Sequence, residues 1–334
     1  MNLRRFAWLS IVLMGPATTA HCSSFDEGER APDGGAPDGG ALDAPTPISE
    51  SGIAPDGGDA VLVSEVGGTL GGFGAGAGGV AWSVGDVVKS ASAAQATLGA
   101  YTSSNTLSGF LTVSGGDVFF TRAEAIVRCQ LGGECGPAGG LAFGLDEPGA
   151  IALSRSDGQL YVAERSGRKR LLRCAPANCA NATAIAVLAD APIFLAPAGA
   201  RIFLGYASGV VEATTYAPSD AGAAPIATVD ALAGLVADGD SAYWIEAGAN
   251  RIVHRRVASG EEAPIPFAVI SARDLTLAGD DLYWLETSTG TVRRCRRPAC
   301  ATAADVVRLP GATRLAVGDR VYLSDGSKIF AYPL

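Results

Sequence analysis

Histidine and methionine are almost missing from this chain of 334 residues: each occurs twice, and beyond residue 22 only His254 is left. One histidine leaves little room for a Ser-His-Asp triad and none for a multi-histidine metal centre. No glycine-rich phosphate loop follows a strand and opens a helix, so the glycines of 67–79 are not read as a nucleotide site. Long apolar runs are lacking too. The longest, Phe6 to Met14, is too short to span a bilayer. A strong charge on the body of the chain is also absent: residues 60–334 hold 25 acids against 22 Lys and Arg. Bulk charge therefore argues for neither nucleic-acid binding nor a strongly acidic surface.

The formal charge of -9 comes mainly from residues 22–59, where nine acids face one arginine. That stretch is Asp, Gly, Pro and Ala, with APDGG at 31–35, 36–40 and 54–58. It has too little apolar surface to offset ordering entropy, so the expectation is a disordered tether. A stacked calcium array is disfavoured by the proline in each unit. Residues 1–21 have the form of an export signal, with Arg4 and Arg5, a short apolar core and small residues at 17–20. Two endings are open, cleavage after Ala20 or lipid attachment at Cys22. Thr19-Ala20-His21-Cys22 matches a bacterial lipobox loosely, because His21 stands where a small residue is usual. Cysteine arithmetic favours the anchor: six of seven cysteines fall into close pairs, and Cys22 is left alone directly after the signal.

Beyond residue 60 the chain is periodic. Phe119, Tyr161, Phe203, Tyr243, Tyr283 and Tyr322 recur at steps of 42, 42, 40, 40 and 39 residues. Four short apolar runs per period, often broken by glycine, are the signature of a propeller blade rather than of helical repeats. Residues 280–300, DDLYWLETSTGTVRRCRRPAC, are the best-preserved copy. That unit divides into strands at 274–278, 282–286, 292–295 and 305–309. The unit before it divides at 235–237, 242–246, 252–257 and 267–270.

The expected fold is all-β, a propeller of seven four-stranded antiparallel blades spanning 60–334. The last unit supplies three strands, and residues 60–66 (AVLVSEV) provide the fourth, closing the ring. Six blades are the alternative if the glycine-rich 67–79 is irregular.

The cysteine pairs Cys129-Cys135, Cys174-Cys179 and Cys295-Cys300 each begin at the end of a third strand, with the mate in the following loop. Four or five intervening residues suit a small disulfide across a hairpin, adding roughly 2 kcal/mol. Zinc is disfavoured because the pairs lie on different blades without CxxC spacing. Arginines gather beside the cysteines and read as exposed strand residues rather than a polyanion site, since no aromatics interleave with them. His254 aligns with Arg128, Arg173 and Arg294 and reads the same way.

One constellation is left with a functional reading. Each second strand ends in a residue expected near one mouth of the channel: Arg122, Glu164, Tyr206, Glu246, Glu286 and Asp325. Converging polar side chains there would bind a cation, an amine or a sugar. Asp274 and Glu147, at connections between blades, would join the same face. The competing reading is that all are ordinary polar residues near loops.

YWIE at 243–246 and YWLE at 283–286, each in a 40-residue unit, resemble the repeat of YWTD-type and related NHL or SMP-30-like propellers. The third and fourth residues depart from YWTD, and the cysteine at the third strand is outside that pattern. Such families include extracellular interaction modules and metal-dependent lactonases or hydrolases, so the resemblance implies the fold and leaves activity open.

The expectation is an exported, lipid-anchored or secreted monomer at the cell envelope, periplasmic or on the outer surface. It binds a protein or carbohydrate ligand at the propeller face, needs no cofactor, and meets the membrane only through its N-terminus. The alternative is a hydrolase or lactonase using the carboxylate ring with a divalent cation.

Overall fold

The computed structural model describes residues 60–92, 95–102, 107–133, 140–217, 222–239 and 241–334, with backbone alone at 95–102 and 107–108. The expected signal, tether and Cys22, and the cysteine mate Cys135, lie outside these residues. The described residues form seven four-stranded antiparallel sheets and no helix. Each sheet takes four consecutive strands, except the last. There Val61–Glu65 pairs with Lys328–Pro333, Val61 opposite Ala331. The two chain ends thus complete one blade, as the pattern of 60–66 implies, and the sheet edges that both ends would expose are paired.

Alternation explains why the blades need one another. In the second strand of blade six, Asp281–Glu286, Leu282 and Trp284 pack with Tyr243, Ile245 and Ile252 of blade five. Tyr283 and Leu285 pack on the other side with Leu315, Val321 and Leu323 of blade seven. Period-two side chains therefore feed two interfaces from one strand. Blade one repeats this, with Trp82 towards Tyr322 and Ile329 and Ala81 towards Phe120 and Val127.

Glycine-rich 67–79 holds a paired strand, with one register shift between Leu70 and Phe73. This is the innermost strand of blade one, Leu70–Gly76, hydrogen-bonded to Gly79–Val84. Seven blades follow, and the six-bladed alternative falls. The outer strand of blade five also differs from expectation. It is Glu262–Pro264, not 267–270. Pro266 has no N–H for a ladder, and Phe267 instead stacks on Trp284 with ring centroids 5.6 Å apart.

Inner and second strands are joined by two-residue hairpins in six blades. Gly115, Gly199, Gly239 and Gly279 occupy the first turn position with φ between 51 and 56°, the left-handed backbone that tight hairpins require. Blade three is the exception, with six residues, 154–159, between Leu153 and Leu160.

Candidate functional site

Three of the six expected mouth residues are carboxylates bonded to an arginine of the following strand; Glu164 and Glu246 take the arginine that opens that strand, whereas Glu286 faces Thr291 and reaches Arg293 further along. Glu164 closes the second strand Leu160–Glu164 directly opposite Arg170, which opens the third, Arg170–Ala175. The Glu164 carboxylate is fully buried. It accepts Arg170 Nε at 2.7 Å, Arg170 Nη2 at 2.6 Å and the Asp146 N–H at 3.1 Å. Burial pushes this carboxyl up, but the Arg170 guanidinium and the Asp146 N–H outweigh burial and hold it below the usual carboxylate range. Glu246 sits opposite Arg251 and bonds it, with Trp244 Nε1 donating to its second oxygen at 3.3 Å. Glu286 accepts Arg293 Nη1 at 3.3 Å.

The other three are engaged in different ways. Tyr206 is buried, and its hydroxyl donates to Glu212 Oε2 at 2.6 Å. Burial, with Glu212 beside it, pushes the phenol up, so it stays protonated. Asp325 Oδ1 accepts the Ser327 N–H at 2.8 Å and the Lys328 N–H at 2.7 Å, a turn cap. Burial pushes the Asp325 carboxyl up, and these two N–H donors bring it below its usual range. Arg122 ends its strand, Asp117–Arg122, opposite Ala125 and also has an interaction partner. Glu147 lies where the chain enters blade three. It has a φ of 50°, and its carbonyl accepts the Arg165 N–H at 2.9 Å. Ala231 and Ser271 repeat that backbone arrangement in blades five and six.

The structure therefore turns Glu164, Tyr206, Glu246, Glu286 and Asp325 towards partners in their own blades. None of them lines the central channel. Among the described residues no group of three or more His, Cys, Asp or Glu is placed to hold a metal ion.

The channel itself is built by the seven inner strands around a cavity of about 380 Å³. Leu111, Val113, Leu195, Leu235, Leu275 and Leu315 are among the lining residues, but Leu235, Leu275 and Leu315 are buried in the packing between blades and the surface exposed to the cavity is more polar than apolar. Charged groups stand at its two ends. At the end where inner strands begin, Asp274 accepts Arg314 Nε at 2.9 Å and the Leu315 N–H at 2.9 Å, while Arg314 Nη1 reaches the Gly71 carbonyl at 2.6 Å. At the end where they finish, Arg155 from blade three donates to the Leu277 carbonyl of blade six at 3.0 Å. Sequence reasoning named Asp274 but missed both arginines. Arg155 had a readable signal: LSRSDGQLY is longer between its two strand patterns than any corresponding turn.

The arginines near the cysteines, read from sequence as exposed strand residues, are ion-paired: Arg128 with Asp117 at 2.7 Å, Arg173 with Asp157 at 3.2 Å and the largely buried Arg297 with Asp238 at 3.4 Å. His254 departs from expectation. It is half-buried, stacked on Tyr243 at 4.7 Å, with Nε2 3.0 Å from Ser241 Oγ. Burial, with Arg256 nearby, lowers its basicity. Cys174–Cys179 and Cys295–Cys300 are disulfides, with Cα separations of 5.0 and 4.9 Å. Bonds of this kind fit an oxidising compartment. Cys129 holds the matching place at the end of its third strand, Ala125–Gln130.

No protein-family model and no curated protein matches the chain. Its likeness is to solved propellers. A catalytically inactive virginiamycin B lyase from Staphylococcus aureus, with quinupristin, is 15% identical with a TM-score of 0.58, over 82% of this chain and 99% of that one. The Pan2 WD40 domain of Neurospora crassa is 12% identical with a TM-score of 0.61, over 82% and 94%. The computationally designed Ika8 protein is 12% identical with a TM-score of 0.51, over 81% and 98%. At such identities the likeness is one of fold. It supports the propeller and stops short of the YWTD, NHL or SMP-30-like families.

Proposed function

We propose that the chain is an exported, lipid-anchored binding or scaffold module at the cell envelope, without catalysis of its own. Residues 1–21 serve as the signal, Cys22 carries the lipid, 22–59 form a flexible tether, and the propeller from residue 60 offers its face to a protein or carbohydrate partner. The observation that carries the non-enzymatic part is the pairing of Glu164, Glu246 and Glu286 with Arg170, Arg251 and Arg293. A hydrolase or lactonase would need these carboxylates free and convergent to hold a cation. The two disulfides support export. Among the similar folds one is a lyase and another a WD40 domain, so the scaffold alone decides nothing and the weight falls on the residues.

Two measurements test the reading. Cys22→Ser is expected to move the protein from the membrane fraction to the soluble one, and an unchanged distribution counts against the anchor. Elemental analysis of the purified full chain is expected to show no stoichiometric divalent ion. An equimolar ion, lost on combined Glu246→Ala and Glu286→Ala, would replace the binding module by the metal-dependent enzyme.

A further inference from the structure

Blade three alone carries a long first hairpin, and that hairpin is firmly built. Ser154 N–H donates to the Gln159 carbonyl at 2.9 Å and Gly158 N–H to the Ser154 carbonyl at 3.0 Å. Asp157 accepts the Gln159 N–H at 3.1 Å, the Tyr161 hydroxyl at 2.7 Å and Arg173 Nη2 at 3.2 Å. What this base holds up is Arg155, whose Nη2 donates to the Leu277 carbonyl of blade six at 3.0 Å. In a ring of seven, blades three and six stand three places apart by the shorter way round, so this bond runs nearly across the channel. The bonds at the other end run differently. Arg314 of blade seven bonds Asp274 of blade six and the Gly71 carbonyl of blade one, each an immediate neighbour round the rim. Among the described residues, one channel end is thus crossed by a side chain and the other is edged by one.

We propose that Arg155 is a strap that bars the channel where the inner strands finish, so that the cavity exchanges with solvent through the Asp274–Arg314 end. The hairpin is the fixed part, tied down by Asp157 and its three donors. The side chain is the releasable part. It is exposed, and its bond is to one neutral carbonyl, a contact only modestly stronger than the hydrogen bonds to water that it replaces. The two-residue turns of the other six blades leave no residue to reach over the opening, and the six-residue loop of blade three supplies one. The cavity of about 380 Å³ is then a pocket with one mouth and not a pore through the ring. The strap needs neither the lipid anchor nor a ligand, so it stands or falls apart from the binding-module reading.

Thiol labelling tests the strap. In a full chain carrying Cys22→Ser, Thr276→Cys places a thiol on the channel-lining inner strand of blade six, Ala272–Ala278, close to its barred end. Its reaction with N-ethylmaleimide, followed by intact mass, should run about fivefold faster once Arg155→Ala is added, the change expected from losing one hydrogen bond of ordinary strength. Ala242→Cys, fully buried between blades four and five, is the reference and should label equally slowly with and without Arg155→Ala. Equal rates at Thr276→Cys with and without Arg155 would overturn the proposal. So would the same acceleration at Ala242→Cys, because the ring would then be loosening as a whole. If Thr276→Cys does not fold, Thr112→Cys, at the same level of the inner strand of blade two, takes its place with the same expected results.

Discussion

Blade six and blade one place a tryptophan at the same point of the second strand, Trp284 and Trp82, both fully buried, yet they surround it with opposite material. Around Trp284 stand the ring of Phe267 and the guanidinium of Arg293, 5.9 Å from the ring centroid, and the third strand is closed by Cys295–Cys300. Blade one has no cysteine, and its inner strand reads LGGFGAG. A Cβ added to Gly72 would lie 2.6 Å from the Gly109 carbonyl oxygen, and one on Gly76 would lie 2.9 Å from Val113 Cγ1. Blade one therefore meets its neighbour by backbone approach where blade six interlocks side chains. Both make the same four-stranded sheet, so the repeat is a constraint on strand spacing more than on residue type.

The largest expected effect contrasts the two tryptophans. Trp284→Ala should destabilise by about 4 kcal/mol and Trp82→Ala by about 3 kcal/mol, both within the range for deleting a buried aromatic. The difference is the stacked Phe267, since aromatic pairs add about 0.5–1.5 kcal/mol beyond area. Urea unfolding of both variants measures it, and equal losses would mean that the stack adds nothing.

The glycine seam comes next. Gly72→Ala is expected to cost about 1–3 kcal/mol by overpacking. Gly116→Ala, where the added Cβ meets nothing within 4 Å, should stay within about 0.5 kcal/mol. Thermal melts of the pair test whether close approach, rather than chance composition, keeps glycine in blade one. Somewhat smaller is the disulfide. Cys295→Ala with Cys300→Ala should lose about 2 kcal/mol by the chain-entropy estimate for so short a loop. Hydrogen exchange should rise in blade six and stay level in blade one, and a uniform rise across both would deny that the bridge acts locally.

Where spacing carried the information, the fold was readable. A 40-residue period with aromatic second strands is the same in side chains and in backbone, so the second strands of blades two to seven and a closing strand within 60–66 could be placed from sequence alone. Blade one was harder, because glycine in Leu70–Gly76 reports a neighbour's proximity, and a pattern search sees only missing apolar residues. Phe267 misled for the converse reason: its apolar run serves a stack on blade six instead of a ladder. The positions of Glu164, Glu246 and Glu286 were legible, but their engagement was not. Opposed Glu and Arg across a hairpin become a pair only once the register Glu164↔Arg170 and Glu246↔Arg251 is known.

The smallest expected effect is the acid dependence of that pairing, and it again separates blades. Blade one has Val84 where blades three, five and six have Glu164, Glu246 and Glu286, so it places no carboxylate at this hairpin. The folded chain holds Glu164 below the range of an unfolded glutamate, near 4.3. A depressed carboxylate stabilises fully above the unfolded value and loses that contribution as pH falls through the folded one. Glu164→Gln should therefore be less stable than the parent chain at pH 7, with the gap closing below about pH 4. Asp325, also held low, acts equally in both proteins and cancels from the difference. Melting temperatures of the two proteins between pH 7 and pH 2.5 give the result, and a gap that stays constant into acid would show that Arg170 holds Glu164 by geometry rather than by charge.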